Sequence, residues 1–167
     1  MGRFRIIPER SRVWVEARST LHPVVAEAGG ISGFIEAEVA ASQVALDPPP
    51  RARFEFPVEG LRSGNPLFDQ ELPRRVDARR YPTVAVEVKE VSAGADGYRV
   101  RAQVSFHGVT REVEGPVTVR ADGNRLVVEG EQVVDIRDFG LEPPRLLLLR
   151  VYPDVKVRVR LEAEKEA

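Results

Sequence analysis

A chain of 167 residues is long enough for one domain that buries roughly 68–70% of its unfolded surface, and without cysteine no disulfide can brace it. Lys and Arg number 25 against 26 Asp and Glu, so a net charge of −1 offers no basic footprint for nucleic acid. No stretch reaches the ~20 apolar residues of a membrane-spanning helix, and Met1–Arg5 runs into Ile6-Ile7 without the apolar core of a secretory leader. The expectation is a single domain over residues 1–167, with its core at about 5–162. It does not span a membrane, and it is cytoplasmic as it stands, periplasmic or secreted only if a leader was removed.

Val13, Val15 and Ala17 alternate with Trp14, Glu16 and Arg18, the period-two signature of a strand with one dry face. Ser19–Gly30, with Pro23 and Gly29-Gly30, reads as a loop or a broken strand end. Ile31, Gly33, Ile35, Ala37 and Val39 then form a second inward row. Asp47-Pro48-Pro49-Pro50 closes the next segment, because proline removes a ladder donor. Phe54, Phe56 and Val58 follow.

Ser63–Arg80 breaks the alternation. Asn65 before Pro66 fits a helix N-cap with proline at the first position. Leu67, Phe68 and Leu72 would share one face of a short helix that Pro73 ends. Tyr81-Pro82 leads into Val84, Val86 and Val88, with Glu87 and Lys89 outward. Ala93–Gly97 is a turn. Val100, Ala102, Val104 and Phe106 alternate up to His107-Gly108, and Val113, Val117 and Val119 resume beyond it, a hairpin. Asp122-Gly123-Asn124 is another turn, before Leu126 and Val128. Arg145–Arg150 encloses four leucines and reads as covered on both faces, or as a homodimer surface. Val155, Val157, Val159 and Leu161 alternate with charges, and residues 163–167 read as a frayed tail.

Many short antiparallel strands joined by turns imply an all-β sandwich or barrel. A closed antiparallel barrel of about eight strands, with one short helical segment near residues 65–80, is preferred because closure leaves no edge to protect. Such a barrel has room for its own side chains or for one slender ligand. The candidate lining is Val13, Val15, Ile35, Phe54, Phe56 and Val84. Val86, Val104, Phe106, Phe139, Leu147 and Val157 continue it. These residues serve equally as plain core, and both readings stay open.

Catalytic chemistry is sparse. His22 and His107 are the only histidines and no cysteine accompanies them, so no metal site or other cofactor is expected. His107 beside a turn glycine reads as structural. Asp135 and Asp138 could pair for acid–base work, but beside Arg137 and before Phe139-Gly140 they fit better as braces of a turn. Arg74, Arg75 and Arg79 near the presumed mouth could grip an anionic head group, since guanidinium forks suit that geometry. A solvated surface balanced by Asp69, Glu71 and Asp77 is the plainer alternative.

Several stretches resemble the YceI-like family in chain order. Pro8-Glu9-Arg10-Ser11-Arg12-Val13 is similar to its opening, and Gly33-Phe34-Ile35 to its early glycine-bearing strand. Ser63-Gly64-Asn65 with Asp69 and Leu72, then Tyr81-Pro82-Thr83-Val84, continue the match. Phe106-His107-Gly108-Val109-Thr110-Arg111 and Arg137-Asp138-Phe139-Gly140 complete it. The chain departs from the family pattern at Ile7, Arg10 and Ser19 and across Phe68-Asp69-Gln70-Glu71, where a polar lipid head would be held. The resemblance implies a lipocalin-like barrel that binds a long-chain isoprenoid or other lipid without catalysis. The alternatives are an enzyme acting on a lipid in the same cavity and a dry-cored structural or dimerisation domain.

Overall fold

The structure is a computed structural model that describes residues 1–143, 145–146 and 149–167. Strands β1 (Gly2–Ile6) and β2 (Arg12–Ser19) flank a 3-10 turn at Pro8–Arg10, and β3 (Val24–Ala28) and β4 (Ser32–Ala37) follow. The short strands β5 (Val39–Ala40) and β6 (Gln43–Val44) form a separate ribbon. Then come β7 (Arg51–Pro57) and the helix α1 (Pro66–Arg75). Strands β8 (Thr83–Gly94), β9 (Gly97–Phe106), β10 (Val109–Asp122) and β11 (Arg125–Asp135) run as successive hairpins. A 3-10 turn at Ile136–Phe139 precedes β12 (Arg145–Leu146) and β13 (Leu149–Lys165).

The strands hydrogen-bond in the order β1-β4-β7-β8-β9-β10-β11-β13, and β13 pairs back onto β1, closing an eight-stranded antiparallel barrel. Strands β2 and β3 extend its wall beside β13. Alternation does the sorting: Val86 faces Val104, Val13 faces Val159 and Val128 faces Leu161 across neighbouring strands, and their charged neighbours face water. Gly33 lies opposite Phe54 with φ 148°, and a Cβ there would stand 2.7 Å from the Phe54 Cα and overlap the Arg53 carbonyl. His107 and Gly108 form a two-residue turn with φ of 56° and 72°, the paired positive angles of a tight hairpin matched to strand twist.

The structure corrects four sequence expectations. Val24–Ala28 is a strand, because Val24, Ala26 and Ala28 form an inward row that the nearby proline and glycines disguise. Leu67 is half exposed, whereas Phe68 and Leu72 lie four residues apart on the inward face of α1. Pro73 lies within α1, which runs on to Arg75. One missing donor is tolerated so near the end, where Val76 N–H still donates to Leu72 O (3.1 Å) and Ala78 N–H to Pro73 O (2.8 Å). Residues 163–165 are ordered sheet: Ala163 is fully buried opposite Ile6, and Lys165 pairs with Phe4. The barrel therefore uses residues 2–165 rather than the expected 5–162. Of the leucine run, Arg145 pairs with Arg150 and Leu146 with Leu149, while Leu147 and Leu148 lie outside the described residues. The expectation of a homodimer surface falls largely on those residues.

Candidate functional site

The barrel encloses a cavity of about 420 Å³. It exists because the inward rows are dominated by valine and alanine: Val86, Val104 and Val157 come from three walls, with Ala17, Ala52 and Ala102 between them. Larger side chains at these positions would fill the bore. Every residue expected in the bore, from Val13 and Val15 through Phe139 to Val157, lines the cavity, except Leu147, which lies outside the described residues.

Helix α1 lies across one end of the bore with Phe68, Leu72 and Val76 turned inward. Its first turn is fixed twice. The Asn65 side chain accepts from Leu67 N–H (3.0 Å) and Phe68 N–H (3.3 Å). The Asp69 carboxylate accepts from Ser63 N–H (2.7 Å), the Ser63 hydroxyl (2.8 Å) and Gly64 N–H (3.1 Å). Partial burial pushes the Asp69 pKa up, but these hydrogen bonds outweigh it and hold the group below the ordinary carboxylate value. At the rim, Glu71 pairs with Arg75 at 3.7 Å. Of the three arginines expected at the mouth, only Arg75 borders the cavity. Arg74 and Arg79 are exposed outside it.

The opposite end is covered by the β5–β6 ribbon, where the Tyr98 hydroxyl accepts from Val44 N–H (2.8 Å) and donates to Val44 O (3.1 Å). Val44, Pro50 and Tyr98 line this end. The lining also reaches the wall between β10 and β11 at Gly115, Pro116, Gly130 and Gln132.

Three motifs distant in sequence meet at the helix-bearing end. The His107 ring stands edge-on to Tyr81 at 5.2 Å, and its Nδ1 donates to Phe139 O at 3.0 Å, as a carbonyl can only accept. Phe139 in turn contacts Phe106 at 5.9 Å. Here His107 fastens the β9–β10 hairpin to the 3-10 turn. Asp135 caps that turn, accepting from Arg137 N–H at 2.9 Å and pairing with its guanidinium at 2.7 Å. The Arg137 side-chain hydrogen bond is the main reason its carboxyl lies below the ordinary value. Asp135 is thus held ionised as a brace and not poised to take up a proton. Among the described residues, no group of three or more His, Cys, Asp or Glu is placed to hold a metal ion.

The sequence reading missed Val24 and Ala26 of β3, along with Val44, Leu61 and Gln132, all of which line the cavity. For β3, the alternation of Val24, Ala26 and Ala28 was the available signal. No local pattern could bring Val44 to Tyr98, 54 residues away.

Residues 4–163 match the family described as YceI-like domain. Three solved structures share the fold. BcnA of Burkholderia cenocepacia superposes with a TM-score of 0.78 at 16% identity, over 94% of this chain and 98% of that one. A polyisoprenoid binding domain from Saccharophagus degradans, implicated in plant cell wall breakdown, gives 0.75 at 14% identity over 99% and 100%. The Campylobacter jejuni YceI protein gives 0.71 at 12% identity over 86% of each. Curated protein sequences give no match to this chain.

Proposed function

The chain belongs to the YceI-like family, and from that premise we propose that it is a non-catalytic binding protein whose bore holds one long apolar molecule of the polyisoprenoid type. The observation that carries this reading is the unfilled apolar lumen of about 420 Å³. Apolar surface moved from water into such a bore gains about 25 cal/mol per Å² without any specific polar contact. A chain-like lipid suits a tube better than a compact one does, because each added segment meets the same valine-rich wall. The likeness to a polyisoprenoid binding domain supports the same class of ligand. The polar end of the lipid would rest at a rim, and the position of Arg75 on the cavity border at the helix-bearing end supports a contact with it there.

Organic extraction of freshly purified protein followed by mass spectrometry tests the reading. The expected result is one dominant prenyl-type lipid at a molar ratio near one. A lipid-free extract, together with no thermal stabilisation by added prenyl alcohols, would overturn it.

A further inference from the structure

The barrel wall is not uniformly hydrogen-bonded. Strand β9 pairs with β10 along its whole inner length, from Phe106 opposite Val109 to Tyr98 opposite Val117. Strand β11 pairs with β13 throughout, from Arg125 opposite Glu164 to Asp135 opposite Asp154. Strands β10 and β11, however, pair only from Val117 opposite Gly130 to Asp122 opposite Arg125. Beyond that point Val109–Pro116 of β10 makes no ladder bonds to Glu131–Asp135 of β11, an unbonded seam that at ~3.4 Å per residue runs about 17 Å along β11. It is a window held shut and not an open split, since a Cβ at position 115 would stand only 3.7 Å from the Gln132 Cβ. The Val117–Gly130 pair bounds it at one end, and the His107–Phe139 bond bounds it at the other.

The sequence builds this gap. Pro116 has no N–H to offer a neighbour, and Gly115 and Gly130 put no side chain into the space. What fills it is the inward-facing amide of Gln132, whose Oε1 lies 2.7 Å from the point where a Cβ on Gly115 would stand. Gly115, Pro116, Gln132 and Val134 all belong to the cavity lining, so the window opens directly onto the bore. The two ends of the barrel are covered, one by α1 with Phe68 and Leu72 and the other by the ribbon tied to Tyr98. Parting β8 from β9, β9 from β10 or β11 from β13 breaks a long ladder of backbone hydrogen bonds. Parting β10 from β11 along Val109–Pro116, with Gln132 swinging aside, breaks no ladder bond.

We propose that the window between β10 and β11 is the passage through which a long apolar chain enters and leaves the bore, with Gln132 as its movable bar. This rests on the reading of the lumen as a lipid site. The test exploits the absence of native cysteine. The Cβ of a residue at 115 would lie 3.7 Å from the Gln132 Cβ, within the span of a disulfide, so Gly115→Cys with Gln132→Cys staples the window shut on oxidation. Uptake and release of a fluorescent prenyl alcohol are followed by stopped flow for the wild type and for the double variant, oxidised and reduced.

The expected result is that oxidation slows both rates at least about tenfold and that reductant restores them. Equal rates in the oxidised and reduced forms would overturn the passage and point to the helix-bearing end. No uptake by the wild type would instead overturn the lipid site, a separate outcome. If the reduced double variant fails to fold or load, Gln132→Trp, whose indole would wedge in the same gap, must show the same slowing. Unchanged exchange in that variant also refutes the passage. If a partner strand added along the free edges were the purpose of the window, lipid exchange would be indifferent to both changes.

Discussion

Val104 stands two residues from the end of β9, half-buried and facing the cavity, between Val86 of β8 and Arg111 of β10. Val104→Trp would project an indole into empty space instead of into packed neighbours, so the fold should keep most of its stability. A ligand could no longer occupy that part of the bore. If the indole displaces one five-carbon isoprene unit, the lost burial at ~0.8 kcal/mol per methylene reaches about 4 kcal/mol. At 1.4 kcal/mol per tenfold, this sets an upper limit near a thousandfold loss of affinity. Titration with a prenyl alcohol read by calorimetry, alongside a melting curve, measures both quantities. Gln103→Trp, one residue earlier on the outer face, is the control and should bind like the wild type. Equal affinity for Val104→Trp and Gln103→Trp, with both folded, would refute a ligand in the lumen.

Gly33→Ala should destabilise the barrel by about 3 kcal/mol or prevent folding, because the methyl group has nowhere to go between Arg53 and Phe54. Denaturant unfolding reads this, and a variant within 1 kcal/mol of the wild type would contradict the packing described. Acid stability should depend on Glu162. Its carboxylate is bonded to Arg125 at 2.7 Å and lies 3.3 Å from Arg10, and the Arg125 bond is the leading cause of a pKa below the ordinary 4.5. A depressed folded value contributes stability above the unfolded pKa, and that stability is lost as pH falls through the folded one. Melting temperature should therefore drop more steeply below about pH 4.5 in the wild type than in Glu162→Gln, and parallel curves would count against the ion cluster.

Where side-chain alternation is strong, as in Val100–Phe106 and Val155–Leu161, sequence and structure agree on strand and face. The two-residue turn at His107-Gly108 was equally legible, since its backbone needs a residue free to take positive φ. The failures have physical causes. Local chemistry does not decide the fate of Leu67 beside Phe68 or of the polar tail 163–167, which depends on partners far along the chain, and Pro73 is tolerated in α1 only because the helix ends two residues later. Ala163, for instance, is buried only because Ile6 lies opposite. The gap between β10 and β11 did leave a trace: Pro116 in the middle of a long strand is the mark of an unpaired edge. Whether the bore was full could not be read locally, because the volume left by small side chains depends on the diameter that eight strands impose.

The strand that completes the cylinder, β13, is the last in order and the only one bonded to β1, β2 and β11 together. During synthesis the earlier strands must therefore wait, as an open curved sheet with two raw edges, until residue 165 has left the ribosome. Losing the final pair of β13 residues should unlatch the cylinder long before it disturbs the central hairpins.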